Sequence, residues 1–148
     1  MNHDQVYQLA IGDCPEAIHF CKKFFDACQV IDDLIDRDTN YTGGQVLMMF
    51  LNLIVEIPTN RFYQAHINYL TPVINHVIHD WIDSVRMEKS EDEISRNVAY
   101  VLRDTYNSLI AHCAYLVGGQ ERMAYASELV RKVVFDEPIK EYQESLDG

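Results

Sequence analysis

The sequence predicts an all-α protein: a compact bundle of about six helices, with one apolar helix near 45–56 at its centre. Three observations predict it. Apolar residues recur at three- and four-residue intervals almost throughout, and no stretch alternates apolar with polar residues long enough for a sheet. Helix punctuation is frequent, as capping residues, first-turn prolines and glycine stops. The 148 residues are 48% apolar and 24% charged, with only six Gly and four Pro, which excludes a collagen-like or mainly disordered chain. A chain of this length buries roughly two-thirds of its unfolded surface in one core.

The elements follow in order. A short helix is expected from about His3 to Ala10, stopped by Gly12. Asp13-Cys14-Pro15-Glu16 reads as a capping box with Pro in the first turn, opening a helix to about Asp38. Residues 39–44 form a loop. Gln45 to Glu56 is apolar nearly all round, as a buried central helix should be, and Pro58 ends it. A helix from about Asn60 to Leu70 follows. Thr71-Pro72 then reads as an N-cap and first-turn Pro, starting a helix to about Glu88. Ser90-x-x-Glu93 is a second capping box, opening the longest helix, which runs to Gly118-Gly119. Gln120 to Phe135 is the last amphipathic helix. Neither repeat nor linker interrupts the chain, so 1–148 reads as a single all-α domain, with 1–12 and 137–148 peripheral or frayed.

Charge narrows the partners. Twelve Lys+Arg face 23 Asp+Glu, a formal net charge of −11. Nucleic-acid affinity needs clustered cations, and the densest basic pairs are Lys22-Lys23 and Arg131-Lys132, so no nucleic-acid partner is expected. Anionic membrane surfaces are disfavoured for the same reason. Val46–Val55, the most apolar run, is about half the length that spans a bilayer. The N-terminal segment is polar and carries no leader pattern, so a soluble cytoplasmic protein is expected. Cys14, Cys21, Cys28 and Cys113 have no zinc-like spacing and read as small core residues in a reducing compartment.

Two acidic ridges carry the chemical expectation. At about 100° per residue, the helix from Asp13 gathers Ala17, Cys21, Phe24, Cys28, Ile31 and Ile35 on its apolar side. Gln29, Asp32 and Asp36 form a ridge along the border of that side, while Asp33 points to solvent. Carboxylates one turn apart repel unless a cation sits between them. Mg²⁺ held by one or two carboxylates keeps its other positions for water and phosphate oxygens. The second ridge lies on the Thr71 helix. Its core side is Ile74, Val77, Ile78, Trp81 and Val85. The opposite side shows His76, His79 and Asp83, a facet with ligands that suit a transition metal or simply solvent. Asp80, Ser84 and Glu88 lie nearer the core. On the helix from Ser90, Thr105 and His112 fall on the apolar side, and Arg103 on the polar side, where it meets a phosphate or a carboxylate.

Residues 25–36, Phe-Asp-Ala-Cys-Gln-Val-Ile-Asp-Asp-Leu-Ile-Asp, resemble the second aspartate-rich motif of trans-polyprenyl diphosphate synthases. Gln29, Asp32, Asp33 and Asp36 match that pattern, and Cys28 stands where the family has Phe. The family's first aspartate-rich motif has no counterpart upstream. The resemblance implies Mg²⁺ on the aspartates and an isoprenoid diphosphate held through it. Asp80, Ile82, Ser84 and Glu88 are similar to the second metal motif of class I terpene synthases, with Trp81 in place of its second acid. Asp33-x-x-Asp36 and Asp80-x-x-Asp83 resemble the carboxylate pairs of all-α nucleoside triphosphate pyrophosphatases, which prefer Glu.

Two functions follow, and both stay open at this point. One is a Mg²⁺-dependent site for a diphosphate-containing small molecule, isoprenoid or nucleotide. Asp32, Asp36, Asp80 and Asp83 would bind metal, and Gln29 and Arg103 would orient phosphate. The other is a non-catalytic acidic helical interaction protein, oligomeric, with a homodimer as the simplest form.

Overall fold

The computed structural model describes residues 1–36 and 42–147. The expected end of the second helix at Asp38, and residues 39–41 of the loop after it, lie outside the described residues. The fold class is all-α. Among the described residues there is no strand, and the helices are α1 (His3–Ile11), α2 (Pro15–Ile35), α3 (Gly43–Leu51), α4 (Arg61–Ala65), α5 (Ile67–Met87), α6 (Glu93–Leu102), α7 (Leu109–Val134) and α8 (Ile139–Asp147). A π-helical segment, Asn52–Glu56, continues α3, and a 3-10 turn, Thr105–Ser108, precedes α7. No helix among the described residues is long and apolar enough to cross a membrane. The chain divides into two compact units. One comprises residues 13–67, and the other residues 1–12 with 68–148.

In the 13–67 unit, α2 packs against α3, the π-helical segment and α4. Pro15 is the first residue of α2, as expected, but the cap is Cys14, which makes no side-chain capping bond, rather than Asp13. The buried face of α2 is Ala17, Phe20, Cys21, Phe24, Phe25, Ala27 and Cys28. Phe20 stacks on Tyr63 with centroids 5.4 Å apart, and touches Phe24 and Phe62. Asn60 caps α4 through the Tyr63 amide and donates its own amide to the Glu16 carbonyl at 2.9 Å, tying α4 to the start of α2. The helix expected from Asn60 to Leu70 is interrupted at His66, which leaves helical geometry (φ −120°, ψ 20°).

The segment expected at the centre of the bundle is the largest correction. Residues 45–56 are helical, yet no residue of α3 is buried, and Leu47, Phe50 and Ile54 are 69%, 60% and 57% exposed. Met48, Leu51, Leu53 and Val55 are exposed as well. Only one narrow side is covered. Val46, Met49 and Glu56 are half-buried, and Asn52 is buried.

In the other unit, α1 packs along α7 and buries Val6, Tyr7, Ala10 and Ile11, so residues 1–12 are not frayed. Arg122 of α7 explains the register. Its Nη1 donates to the carbonyls of Leu9 (3.5 Å) and Ala10 (3.3 Å), satisfying acceptors that the helix end leaves over. Gly12 makes this approach possible. Its φ is +86°, and a Cβ there would stand 2.9 Å from Arg122 Nη1.

Pro72 does not start a helix, because α5 runs through it from Ile67. Pro72 is the sixth residue of α5, where it removes the bond that an amide would donate to the Asn68 carbonyl, a cost that the helix bears. Ser90 does not cap α6 either. Asp92 does, accepting from Ser95 N at 3.2 Å, while Ser90 Oγ accepts from Asp92 N. The expected long helix from Ser90 to Gly118 is broken at residues 103–108. Thr105 Oγ1 shares its one proton between the Leu102 carbonyl and Asp80, and Asn107 Nδ2 donates to the Asp104 carbonyl, an alternative to helical bonding that short polar side chains offer. Gly119, the expected stop, is a break (φ +80°), and α7 resumes beyond it.

The C-terminal segment, expected to fray, is clasped. Tyr100 donates its hydroxyl to the Glu137 carbonyl, and Gln143 donates to Asn97. Tyr142 is buried and donates to Glu88 at 2.9 Å. Burial, then the bond to Glu88, hold its phenol pKa well above the usual range.

His112, expected on the apolar side of its helix, is half-buried and hydrogen-bonded. Its Nδ1 meets Tyr69 Oη at 2.8 Å, and Tyr69 stacks on Tyr115. Burial lowers the imidazole pKa from 6.5. The unfolded chain therefore takes up this proton more readily than the folded one. Stability from the neutral ring is complete above about pH 6.5 and is lost as pH falls through the lower folded value. The expected result is a denaturation midpoint that drops between about pH 7 and pH 5, with a smaller drop in His112→Gln.

Candidate functional site

The first aspartate ridge forms as a helix edge. Asp32 is half-buried, Asp36 is exposed at the C-cap, and the Asp36 amide donates to the Asp32 carbonyl at 3.0 Å, which sets the side chains one turn apart. Asp32 lies against Cys28. Burial, and then this carboxylate, push the Cys28 thiol up to about 12, so Cys28 stays protonated and inert. Gln29 is engaged by Asp33. Its Nε2 donates to both oxygens of Asp33 at 3.1 Å. Asp33, expected in solvent, is half-buried.

The second ridge is on α5, in the other unit. Asp80 is half-buried and accepts from Thr105 Oγ1 at 2.8 Å, with His76 Nε2 at 3.6 Å. Asp83 and His79 are exposed. The three polar residues of the four that resemble a terpene-synthase motif are each engaged by the protein itself. Asp80 takes the Thr105 hydroxyl, Ser84 is buried and donates to the Trp81 carbonyl at 2.6 Å, and Glu88 accepts from Tyr142. Arg103 pairs with Glu137 at 2.8 Å and lies 3.5 Å from Asp104. Its guanidinium sits over the Tyr142 ring at 4.2 Å and the Tyr100 ring at 5.0 Å. Burial opposes its charge, but the bond to Glu137 and the charge of Asp104 outweigh that and raise its pKa. Arg103 thus holds α8 in place with a compensated charge.

A Mg²⁺ ion is satisfied by one or two carboxylates plus phosphate oxygens, so the pair Asp32 and Asp36 has the right donor chemistry. Among the described residues, however, no group of three His, Cys, Asp or Glu is gathered where it could hold a metal ion.

Two other features were not anticipated as sites. Asp80 lines a cavity of about 300 Å³, between α5, the 3-10 turn and α7. No local pattern announces it, because its walls run from His76 to Phe135, on elements far apart in the chain. The second is the apolar face of α3 and the π-helical segment. Its signal was present, since a segment apolar on every side must be covered by something.

Comparison of the chain with protein-family models, curated proteins and solved structures finds no match.

Proposed function

We propose that this chain is a non-catalytic interaction protein that pairs with a second copy of itself through α3 and the π-helical segment. The observation that carries this reading is the exposed run Leu47, Met48, Phe50, Leu51, Leu53, Ile54 and Val55. Monomers rarely expose an apolar patch above about 300–600 Å². A standard interface takes about 800 Å² from each partner, and an apolar run of this kind is what such an interface is built on.

Charge favours a second copy. Residues 43–55 contain no charged side chain, in a protein of net charge −11. An uncharged face offers no complement to a basic or acidic partner. It is also where two acidic copies approach without meeting like charge, and a two-fold contact sets the same patch against itself. Sedimentation equilibrium over a range of concentrations tests this. A monomer–dimer equilibrium is expected, and a monomer at every concentration overturns it.

The magnesium–diphosphate reading is separable by experiment. On the proposal above, millimolar Mg²⁺ or Mn²⁺ with pyrophosphate leaves the Tm unchanged. A rise that Asp32→Asn with Asp36→Asn abolishes would instead establish a diphosphate site by linkage.

A further inference from the structure

We infer that the cavity between α5, the 3-10 turn and α7 is a binding site for a small zwitterion with an apolar side group, of the amino-acid type. The inference is independent of self-association, because the cavity lies wholly in the other unit. Its volume of about 300 Å³ is at the lower end of the range for ligand pockets, roughly 300–1,000 Å³.

The walls divide by chemistry. Val77 and Val130 are buried, and with Val134 and Phe135 they make an apolar side. Asp80 and Arg131 are the charged groups that the protein leaves least compensated. Asp80 is met by the Thr105 hydroxyl and, at 3.6 Å, by the exposed His76 ring, neither of which carries a permanent charge. Arg131 is exposed and takes part in none of the ion pairs among the described residues. Asp104 also lines the cavity, but Arg103 lies 3.5 Å from it. A bound molecule therefore meets an acid that no Lys or Arg pairs with among the described residues, a guanidinium outside every ion pair among them, and an apolar wall.

That combination selects among small molecules. A carboxylate alone would gain Arg131 but bring a negative charge towards Asp80. An amine alone would gain Asp80 and leave Arg131 unused. A zwitterion satisfies both and adds no net charge to a protein of net charge −11. Its side group displaces water from the valines and Phe135. The hydroxyls of Thr105 and Ser108 and the amide of Asn107 line the same cavity and add neutral hydrogen-bonding capacity around the ammonium and carboxylate.

L-Phenylalanine, 2-phenylethylamine and 3-phenylpropionate, which share a ring and differ in charge, test this by titration calorimetry or ligand-observed NMR. Phenylalanine is expected to bind, and each single-charge analogue to bind at least about tenfold more weakly. Arg131→Gln should weaken phenylalanine by a similar factor and leave 2-phenylethylamine unchanged. Asp80→Asn should also weaken phenylalanine, and should bind 3-phenylpropionate at least as tightly as the natural chain does, because the charge that repels its carboxylate is gone. Asp80→Asn also disturbs the bond from Thr105. If that variant does not fold, the Arg131→Gln comparison, which alters an exposed side chain, decides alone. The inference is overturned if phenylalanine does not bind, if either analogue binds as tightly, or if Arg131→Gln binds phenylalanine undiminished.

Discussion

Phe50→Asp combined with Ile54→Asp is expected to leave the protein monomeric at concentrations where the natural chain is paired. The two residues are 60% and 57% exposed and lie four apart, on one side of the helical segment. In a two-fold contact each substitution enters the interface twice. Four carboxylates would then be brought into a surface where none of them has a cation to meet. Burying unpaired charge costs several kcal/mol for each group, so a loss of association of at least about a hundredfold is expected. The Tm of the dilute monomer should hardly move, because neither side chain is buried in its own chain. That separates lost association from lost folding. Ile94→Asp is the control. Ile94 is 71% exposed on α6, in the other unit, and its substitution should leave association unchanged. Salt supplies a second readout. Two chains of net charge −11 repel, while an uncharged apolar contact does not depend on counter-ions. Dimerisation should therefore tighten as ionic strength rises. An equilibrium that weakens with salt points to a charged contact elsewhere and sinks this reading.

The same segment marks the boundary of what the sequence could tell. An all-apolar stretch establishes that water is a poor solvent for it. It does not establish whether the cover is the rest of the chain or another molecule, and residues 45–56 read as a buried centre for that reason. On α2 the periodicity identified the apolar stripe correctly through Cys28, but Ile35 is exposed. A helical wheel gives the direction of a face and nothing about how far along the axis the packing partner extends. Asp80 was legible as a half-sheltered acid on α5. Its partner Thr105 was not, because residues 93–118 have an unbroken helical pattern, and the break at 103–108 depends on side chains bonding to nearby carbonyls. Arg103 was identified as the cation worth watching, but its partner Glu137 lies 34 residues away in a tail expected to be loose. Local pattern gave the helices. Pairings across breaks, which decide which polar groups stay free for a ligand, depend on tertiary geometry.

Phe20→Ala is expected to be the most damaging single truncation in the 13–67 unit. The side chain is wholly buried, stacks on Tyr63 at 5.4 Å, and lies 6.3 Å, centroid to centroid, from both Phe24 and Phe62. It therefore joins α2 to α4, which is only five residues long and cannot persist without tertiary contacts. Truncation removes the transfer free energy of the ring and leaves a cavity, together about 3–5 kcal/mol in comparable cores. The surroundings limit collapse. Phe62 is held by α4, and α4 is tied to the start of α2 through the bond from Asn60 to the Glu16 carbonyl. The upper part of the range therefore applies, a large fraction of the roughly 5–15 kcal/mol that keeps a domain folded. Phe20→Leu, which keeps most of the volume, should cost much less. Urea denaturation of the two variants measures the difference. Equal, small losses for Ala and Leu would mean that Phe20 is not the joint between α2 and α4. Hydrogen exchange adds a local readout. Amides of α4 should lose protection in Phe20→Ala before those of α7, whose packing against α1 uses none of these residues.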